Sequence, residues 1–325
     1  MPPVRYKLTL AYDGTEFHGW QKQEPPASEH PELVDQTPDD IAEGRVAMRT
    51  VQHVVERAVR SVCREAVTIK GASRTDSGVH AGGHYPDGPP EFGKPGGQVA
   101  AFTTNPDPAK GVGWPVERGT EALVRALNSE LPRDVLCLGA EAVPLDFDPI
   151  GGAVAKEYTY AIVSGRTRPL WDRRYVFHTW HDLELEPMQA AAALLVGEHD
   201  FEAFAQASHG RKTTVRRVFA CGVEGTGDRG SGIGGGTPSA SLRSAPPPSV
   251  TGEERFLIRV SGSGFLYNMV RIIAGTLMEV GRGRIDPNRI PEIIESRDRR
   301  QAGPTLPPQG LRLEWIRYGE GVNEP

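Results

Sequence analysis

Cysteine is scarce in this 325-residue chain: Cys63, Cys137 and Cys221 stand far apart and form no C-x-x-C pair. That excludes a thiolate zinc site or a disulfide framework. Each thiol lies among apolar neighbours and reads as a small buried hydrophobe. No apolar run approaches the ~20 residues that span a bilayer. Met1-Pro-Pro-Val-Arg5 lacks the charged-then-apolar pattern of a leader. These absences lead to the expectation of a soluble cytoplasmic protein. Positive charge is also short, with 37 Lys and Arg against 42 Asp and Glu, a net charge of −5. A polyanion partner draws on Lys and Arg, so that balance argues at first against nucleic acid.

Glycine and proline are abundant, at 38 and 28 residues. The chain is therefore loop-rich, yet below the roughly 25–30% combined share of a disordered one. Its 38% hydrophobic content suffices for a core. At about 100–200 residues per domain, two domains are expected.

Val4, Tyr6, Leu8, Leu10 and Tyr12 alternate with Arg5, Lys7, Thr9 and Ala11, the period of a strand buried on one face. Val51, Val54, Val55, Ala58, Val59 and Val62 have helical spacing and predict an amphipathic helix over about 47–62. Strands at about 66–72 and 98–104, a helix over 120–130 and a strand over 134–142 complete a β-α-β-β-α-β order. The second half repeats it. A strand over 156–163 precedes a helix that opens near Pro187 and stops at Gly197. Strands at 214–223 and 255–261 follow. Leu266, Met269, Val270, Ile273, Leu277 and Val280 mark a strong helix, and a short helix near 288–296 and a strand at 311–317 end the chain. The expected fold class is α+β: two fused βαββαβ halves, 1–146 and 147–325, joined in one extended antiparallel sheet. Helices would cover one face and leave the other open as a broad cleft for a large ligand.

Three segments stand outside this order and read as surface insertions: 24–44, 86–97 and 224–254. The first carries seven acids and no Lys or Arg, and the third has a net charge of −2. Without them the framework is mildly basic, so the objection to a polyanion partner weakens.

Candidate chemistry gathers in a few places. Gly71-Ala-Ser-Arg-Thr-Asp-Ser-Gly-Val-His-Ala81 puts Asp76 in a loop after a strand, with Arg74 two positions earlier. A carboxylate near a guanidinium stays ionised, which suits a nucleophile. The same residues also suit a turn capped by the Asp side chain. Ser261-Gly-Ser-Gly-Phe-Leu-Tyr-Asn-Met-Val-Arg271 delivers Arg271 into the second turn of the long helix beside a buried face. An arginine there seeks an anion, or it snorkels. Tyr158 and Tyr160 share one strand face, as a stacking platform for a base or as core. Arg166, Arg168, Arg173 and Arg174 surround Trp171, and Arg211, Lys212, Arg216 and Arg217 form a second basic cluster. Arginine among aromatics suits a folded RNA; a solvated loop is the plainer reading. Two motifs carry little. Gly225-Thr-Gly-Asp-Arg-Gly230 lacks the following helix that a dinucleotide site needs. His80 and His84, with Asp76 and Asp87 nearby, lie in a glycine-broken stretch whose rings need not converge on a metal.

At Arg74-Thr-Asp-Ser-Gly-Val-His-Ala81 the chain resembles the catalytic loop of the tRNA pseudouridine synthase A (TruA) family. Tyr12-Asp-Gly-Thr-Glu-Phe-His-Gly-Trp-Gln-Lys-Gln23, Val51-Gln52, Ala126-Leu-Asn128 with Leu131-Pro132, Lys156-Glu-Tyr-Thr-Tyr160, Gly197-Glu-His-Asp-Phe201 and Phe265-Leu-Tyr-Asn-Met-Val-Arg271 are similar to the family's segments and keep its order. The resemblance implies an isomerase that converts uridine to pseudouridine in the anticodon stem-loop of tRNA, acting as a homodimer without cofactor or metal. It implies Asp76 as nucleophile, Arg271 as its ion-pair partner, Tyr158 stacked on the target base, and Arg74 on the RNA backbone, helping to displace the nucleotide. Ser73 stands where many members have Gly. Phe147-Asp-Pro-Ile-Gly-Gly152 lacks the family's basic side chain at Ile150. That departure motivates an alternative, an RNA-binding protein that keeps the fold with weakened catalysis. A third reading makes the acidic insertion a docking element for a protein partner.

Overall fold

A computed structural model describes residues 1–36, 41–82, 96–206, 212–226 and 253–319. They fall into two compact units, one ending at Ala153 and the other running from Val154 onward.

The first unit is built on β1 (Val4–Tyr12), whose Tyr6, Leu8, Leu10 and Tyr12 are buried, as the alternation predicts. β1 pairs antiparallel with β4 (Gln98–Thr104) along one edge and with β5 (Val135–Val143) along the other. β2 (Lys70–Gly71) lies outside β4, and β3 (His80–Ala81) meets β1 at Tyr12. The order across the sheet is β5-β1-β4-β2. α2 (Thr120–Glu130) packs on β5, and α1 (Val51–Cys63) against α2. α1 starts four residues later than its apolar spacing suggests. Thr50 holds an extended conformation and its hydroxyl accepts the His53 N–H at 3.4 Å, which is the geometry of a helix N-cap.

The strand expected at 66–72 shrinks to two residues because α1 takes over its backbone. Arg60 Nε donates to the Val67 carbonyl at 2.9 Å. Gln52 Nε2 donates to the Ile69 carbonyl at 2.8 Å, and the Ile69 N–H donates to Glu56 Oε2 at 3.1 Å. Side chains satisfy groups that a sheet would otherwise need.

The second unit runs β6 (Ala153–Ser164), β7 (Phe177–Thr179), α3 (Leu185–Ala193), β8 (Gly197–Asp200), β9 (Val215–Thr226), β10 (Glu254–Gly262), α4 (Met269–Gly281), α5 (Ile290–Ser296) and β11 (Leu311–Tyr318). Its strand order is β11-β6-β10-β9-β8. β10 is antiparallel to β6 and β9, β8 is antiparallel to β9, and short β7 is parallel to β6. Gly197, read as a helix stop, opens β8 instead, since α3 already ends at Ala193. α3 packs on α4 and on β9. Every residue of α4 except Arg271 is buried, as expected of a helix that is apolar nearly all round. Mostly antiparallel sheet with five α-helices among the described residues makes the class α+β, as the order of elements indicates.

The ends of the 24–44 insertion are pinned. Pro26 bridges Arg45, the Ala27 N–H donates to the Gly44 carbonyl at 2.8 Å, and a 3-10 turn spans Pro31–Gln36. Residues 86–95 and 227–252 of the other two insertions lie outside the described residues, as do His84, Asp87 and Arg211. Among the described residues no helix is long and apolar enough to cross a membrane.

Candidate active site

Asp76 sits half-buried in the loop between β2 and β3, and the residues on either side of it are fixed by one partner segment. The Trp20 N–H donates to the Thr75 carbonyl at 2.9 Å. Ser77 Oγ donates to the Phe17 carbonyl at 3.0 Å, and the Gly78 N–H reaches the same carbonyl at 3.3 Å. Gly19 permits this close lay: a Cβ there would lie 2.8 Å from the Thr75 carbonyl oxygen, and its φ of +87° is one that side-chain-bearing residues resist. Below the loop, the hydroxyls of Tyr12 and Thr75 share a buried hydrogen bond of 2.7 Å. Trp20 is itself buried with its ring against Tyr12.

The partner segment is locked in turn by α1. The N–H groups of Val51 and Gln52, which no turn of the helix can satisfy, donate to the carbonyls of Gly19 and Trp20 at 3.1 and 2.9 Å. The two family-like stretches at 12–23 and 51–52 thus act as a single clamp on the Asp76 loop. This role escapes sequence reading because most of its bonds run backbone to backbone across distant parts of the chain. Tyr12→Phe is expected to cost about 1–2 kcal/mol through the unpartnered Thr75 hydroxyl. A fall of a few degrees in thermal midpoint would register it.

Arg74 is exposed at the start of the same loop. His80 is buried. Its Nδ1 accepts the Gly14 N–H at 3.0 Å and stands 3.2 Å from Asp13 Oδ1, which in turn caps the 3-10 turn at Gly14–Glu16. His80 therefore serves the clamp. Among the described residues no three His, Cys, Asp or Glu side chains gather as metal ligands do.

In the second unit, Tyr158 and Tyr160 project from the same face of β6, yet they do not make a joint stacking platform. Tyr160 is wholly buried, donates to the Pro307 carbonyl at 2.7 Å, and has its phenol pKa pushed up by burial. It is a core residue. Tyr158, 7% exposed, meets the Phe265 ring edge-on at 5.3 Å.

Arg271 lies in the first turn of α4, one turn earlier than the spacing suggests. The helix opens only after Asn268, which holds a left-handed φ of 60°. Arg271 Nε donates to the Leu306 carbonyl and Nη1 to Asn268 Oδ1, each at 2.6 Å. Asn268 Nδ2 is itself bonded to Gln206 Oε1. Two of the five guanidinium donors thus set the plane of the head group. Sequence reading found Arg271 but neither Asn268 nor Leu306. The first carries a backbone conformation that Asn tolerates, and the second acts through a carbonyl that any residue has.

Of the second basic cluster, Arg216 folds back on its own strand, donating to the carbonyls of Thr213 and Val215. Arg217 stands 6.0 Å from the Phe219 ring centre, and Lys212 is exposed. Gly225 and Thr226 belong to β9 itself, and the rest of that glycine motif lies outside the described residues.

The first unit thus holds a carboxylate on an anchored loop, and the second an oriented guanidinium and an aromatic on a strand; comparisons with known proteins give the class. The tRNA pseudouridine synthase family model matches residues 191–319. The chain is 35% identical over 313 residues to tRNA pseudouridine synthase A 2 of Clostridium perfringens, and 36% identical over 313 residues to tRNA pseudouridine synthase A of Acetivibrio thermocellus. It is 35% identical over 312 residues to the protein of that name in Geotalea daltonii. Each alignment covers 96% of this chain and 98% of the relative. The chain belongs to the tRNA pseudouridine synthase A family.

Proposed function

We propose that this protein isomerises uridine to pseudouridine in the anticodon stem-loop of tRNA, in the cytoplasm, as a homodimer needing neither metal nor cofactor. Asp76 is the nucleophile and Arg271 its ion-pair partner. Tyr158 stacks on the target base, and Arg74 engages the RNA backbone and helps displace the nucleotide. The reaction breaks an N-glycosidic bond and forms a C-glycosidic bond at the same sugar. The detached base must therefore be held and turned before it rejoins, and the target nucleotide must leave its stack. The proposal divides the chain into halves 1–146 and 147–325, each a βαββαβ unit, with the substrate cleft on the sheet. The strand orders β5-β1-β4-β2 and β11-β6-β10-β9 favour that division.

One observation carries the reading: the loop bearing Asp76 is held on both sides by hydrogen bonds to the backbone of Phe17 and Trp20, as a preorganised nucleophile requires. Incubating the protein with an unmodified tRNA transcript and mapping pseudouridine chemically tests it. Binding without product would favour the weakened RNA-binding alternative.

Ile150 gives that alternative its motive. It is 46% exposed on a turn where its N–H donates to Asp148 Oδ1 at 2.9 Å. Lys70 pairs with the same carboxyl at 2.9 Å and, with the Ile150 N–H, holds its pKa at about 2. The turn thus spends its nearby cation on its own acid. Ile150→Arg is expected to tighten tRNA binding severalfold and to steepen the dependence of affinity on salt by about one unit of log–log slope. Titration at a series of salt concentrations reads both.

A further inference from the structure

The connection from β6 to β7 exposes apolar surface that its own unit leaves uncovered. Trp171 is 79% exposed, Leu170 60% and Tyr175 48%. Aromatic surface displayed this way on a soluble protein marks a binding site.

The turn carrying it is built. Arg173 Nη1 donates to the Leu170 carbonyl at 2.8 Å, and the Tyr175 N–H donates to the Asp172 carbonyl at 2.7 Å. Asp172 Oδ2 accepts from Arg255 Nη1 of β10 at 2.5 Å, tying the turn to the sheet. At its base His178 Nε2 lies 2.9 Å from the Gly165 carbonyl, and the Gly165 N–H donates to the Thr179 carbonyl at 3.1 Å.

Charge selects the occupant. Residues 165–181 hold four arginines and a single carboxylate, Asp172. That carboxylate is turned inward to Arg255, while Arg166, Arg168, Arg173 and Arg174 are exposed. The connection therefore offers exposed aromatic side chains together with four exposed arginines. A flat π-face suits an unpaired base, and guanidinium groups suit the flanking phosphates. Asp172, next to Trp171, bonds to Arg255, which pairs with Val163 five residues beyond Tyr158 on β6, roughly 16 Å along the strand at a rise of ~3.3 Å per residue. That offset favours a base other than the one Tyr158 is proposed to hold.

We propose that Trp171 stacks on an unpaired base of the folded tRNA other than the target uridine, with Arg173 and Arg174 on the adjoining phosphates. This rests on the reading of tRNA as substrate and adds a second point of recognition to it. The test uses the full chain and an unmodified tRNA transcript. Trp171→Ala is expected to raise Kd about tenfold, the size of one base–aromatic stack, with the loss in turnover falling on KM more than on kcat. Trp171→Phe restores most of the affinity. Replacing Arg173 and Arg174 together by Gln lowers the log–log salt slope by about one for each phosphate no longer engaged. Chemical probing of the RNA shows one unpaired base protected by the wild type and released by Trp171→Ala.

Unchanged Kd and salt slope in these variants would overturn the proposal. So would a shift in sedimentation with RNA affinity per site unchanged, since that assigns the patch to association between copies of the chain. A wild type that binds tRNA without forming pseudouridine overturns the isomerase reading alone, because affinity and probing need no turnover. A wild type that binds no tRNA overturns both.

Discussion

Asp76→Ala is expected to bind tRNA and to form no pseudouridine, with turnover lowered by more than about 10⁴-fold, the scale on which loss of a nucleophile is felt. The hydrogen bonds of Thr75, Ser77 and Gly78 to Trp20 and Phe17 remain when the Asp76 side chain is shortened. The truncated protein should therefore keep its loop in place, with a thermal midpoint within about 2 °C of wild type. Asp76→Glu separates charge from position. It keeps the carboxylate but advances it by one methylene, and a misplacement of about 1 Å costs on the order of 10²-fold. Single-turnover assays on a saturating tRNA transcript distinguish the three proteins. Equal turnover by Asp76→Ala would sink the assignment. Loss of RNA binding with the fold intact would move Asp76 from chemistry to recognition.

How much of the molecule is legible in its sequence follows from the range of the interactions. β1, β4, α2 and β10 lie within a residue or so of their expected bounds because each is set by its own alternation or helical spacing. The departures fall where distant groups decide. Residues 66–69 have the composition of a strand, yet Gln52, Glu56 and Arg60 take their backbone groups. β3 and β7 are two and three residues long, too short to show a period. Tyr160 looks equivalent to Tyr158 because a strand face carries no information on what covers it; Pro307 and Gly310 do so from far along the chain. At the candidate site the reactive side chains are readable as unusual residue types in glycine-rich turns. Their supports are not, because Phe17, Trp20 and Leu306 act through main-chain groups.

That distinction points to a substitution remote from any reactive group. Gly275 lies in α4 one turn beyond Arg271, and a Cβ there would sit 1.9 Å from the Pro304 carbonyl oxygen. On the other side of the crossing, a Cβ on Gly303 would lie 2.5 Å from the Thr276 nitrogen. The segment entering β11 therefore crosses α4 backbone on backbone, secured by the Gly303 N–H on Thr276 Oγ1 at 2.9 Å. Further along, this segment supplies the Leu306 carbonyl that accepts from Arg271 Nε, and then the Pro307 carbonyl that accepts from Tyr160. Gly275→Ala cannot be absorbed by a rotamer change, because the obstructing atom belongs to the main chain. The segment must lift, at a cost of about 3 kcal/mol, or roughly 6–12 °C in thermal midpoint for a unit of this size. Arg271 loses its acceptor at the same time, so kcat should fall even at temperatures where the variant is folded. Arg271→Lys is the control: it keeps the charge and leaves the crossing untouched, so it should lose activity without a midpoint shift of that size. A Gly275→Ala protein that melts within about 2 °C of wild type and turns over normally would mean that the crossing does not govern the set of Arg271.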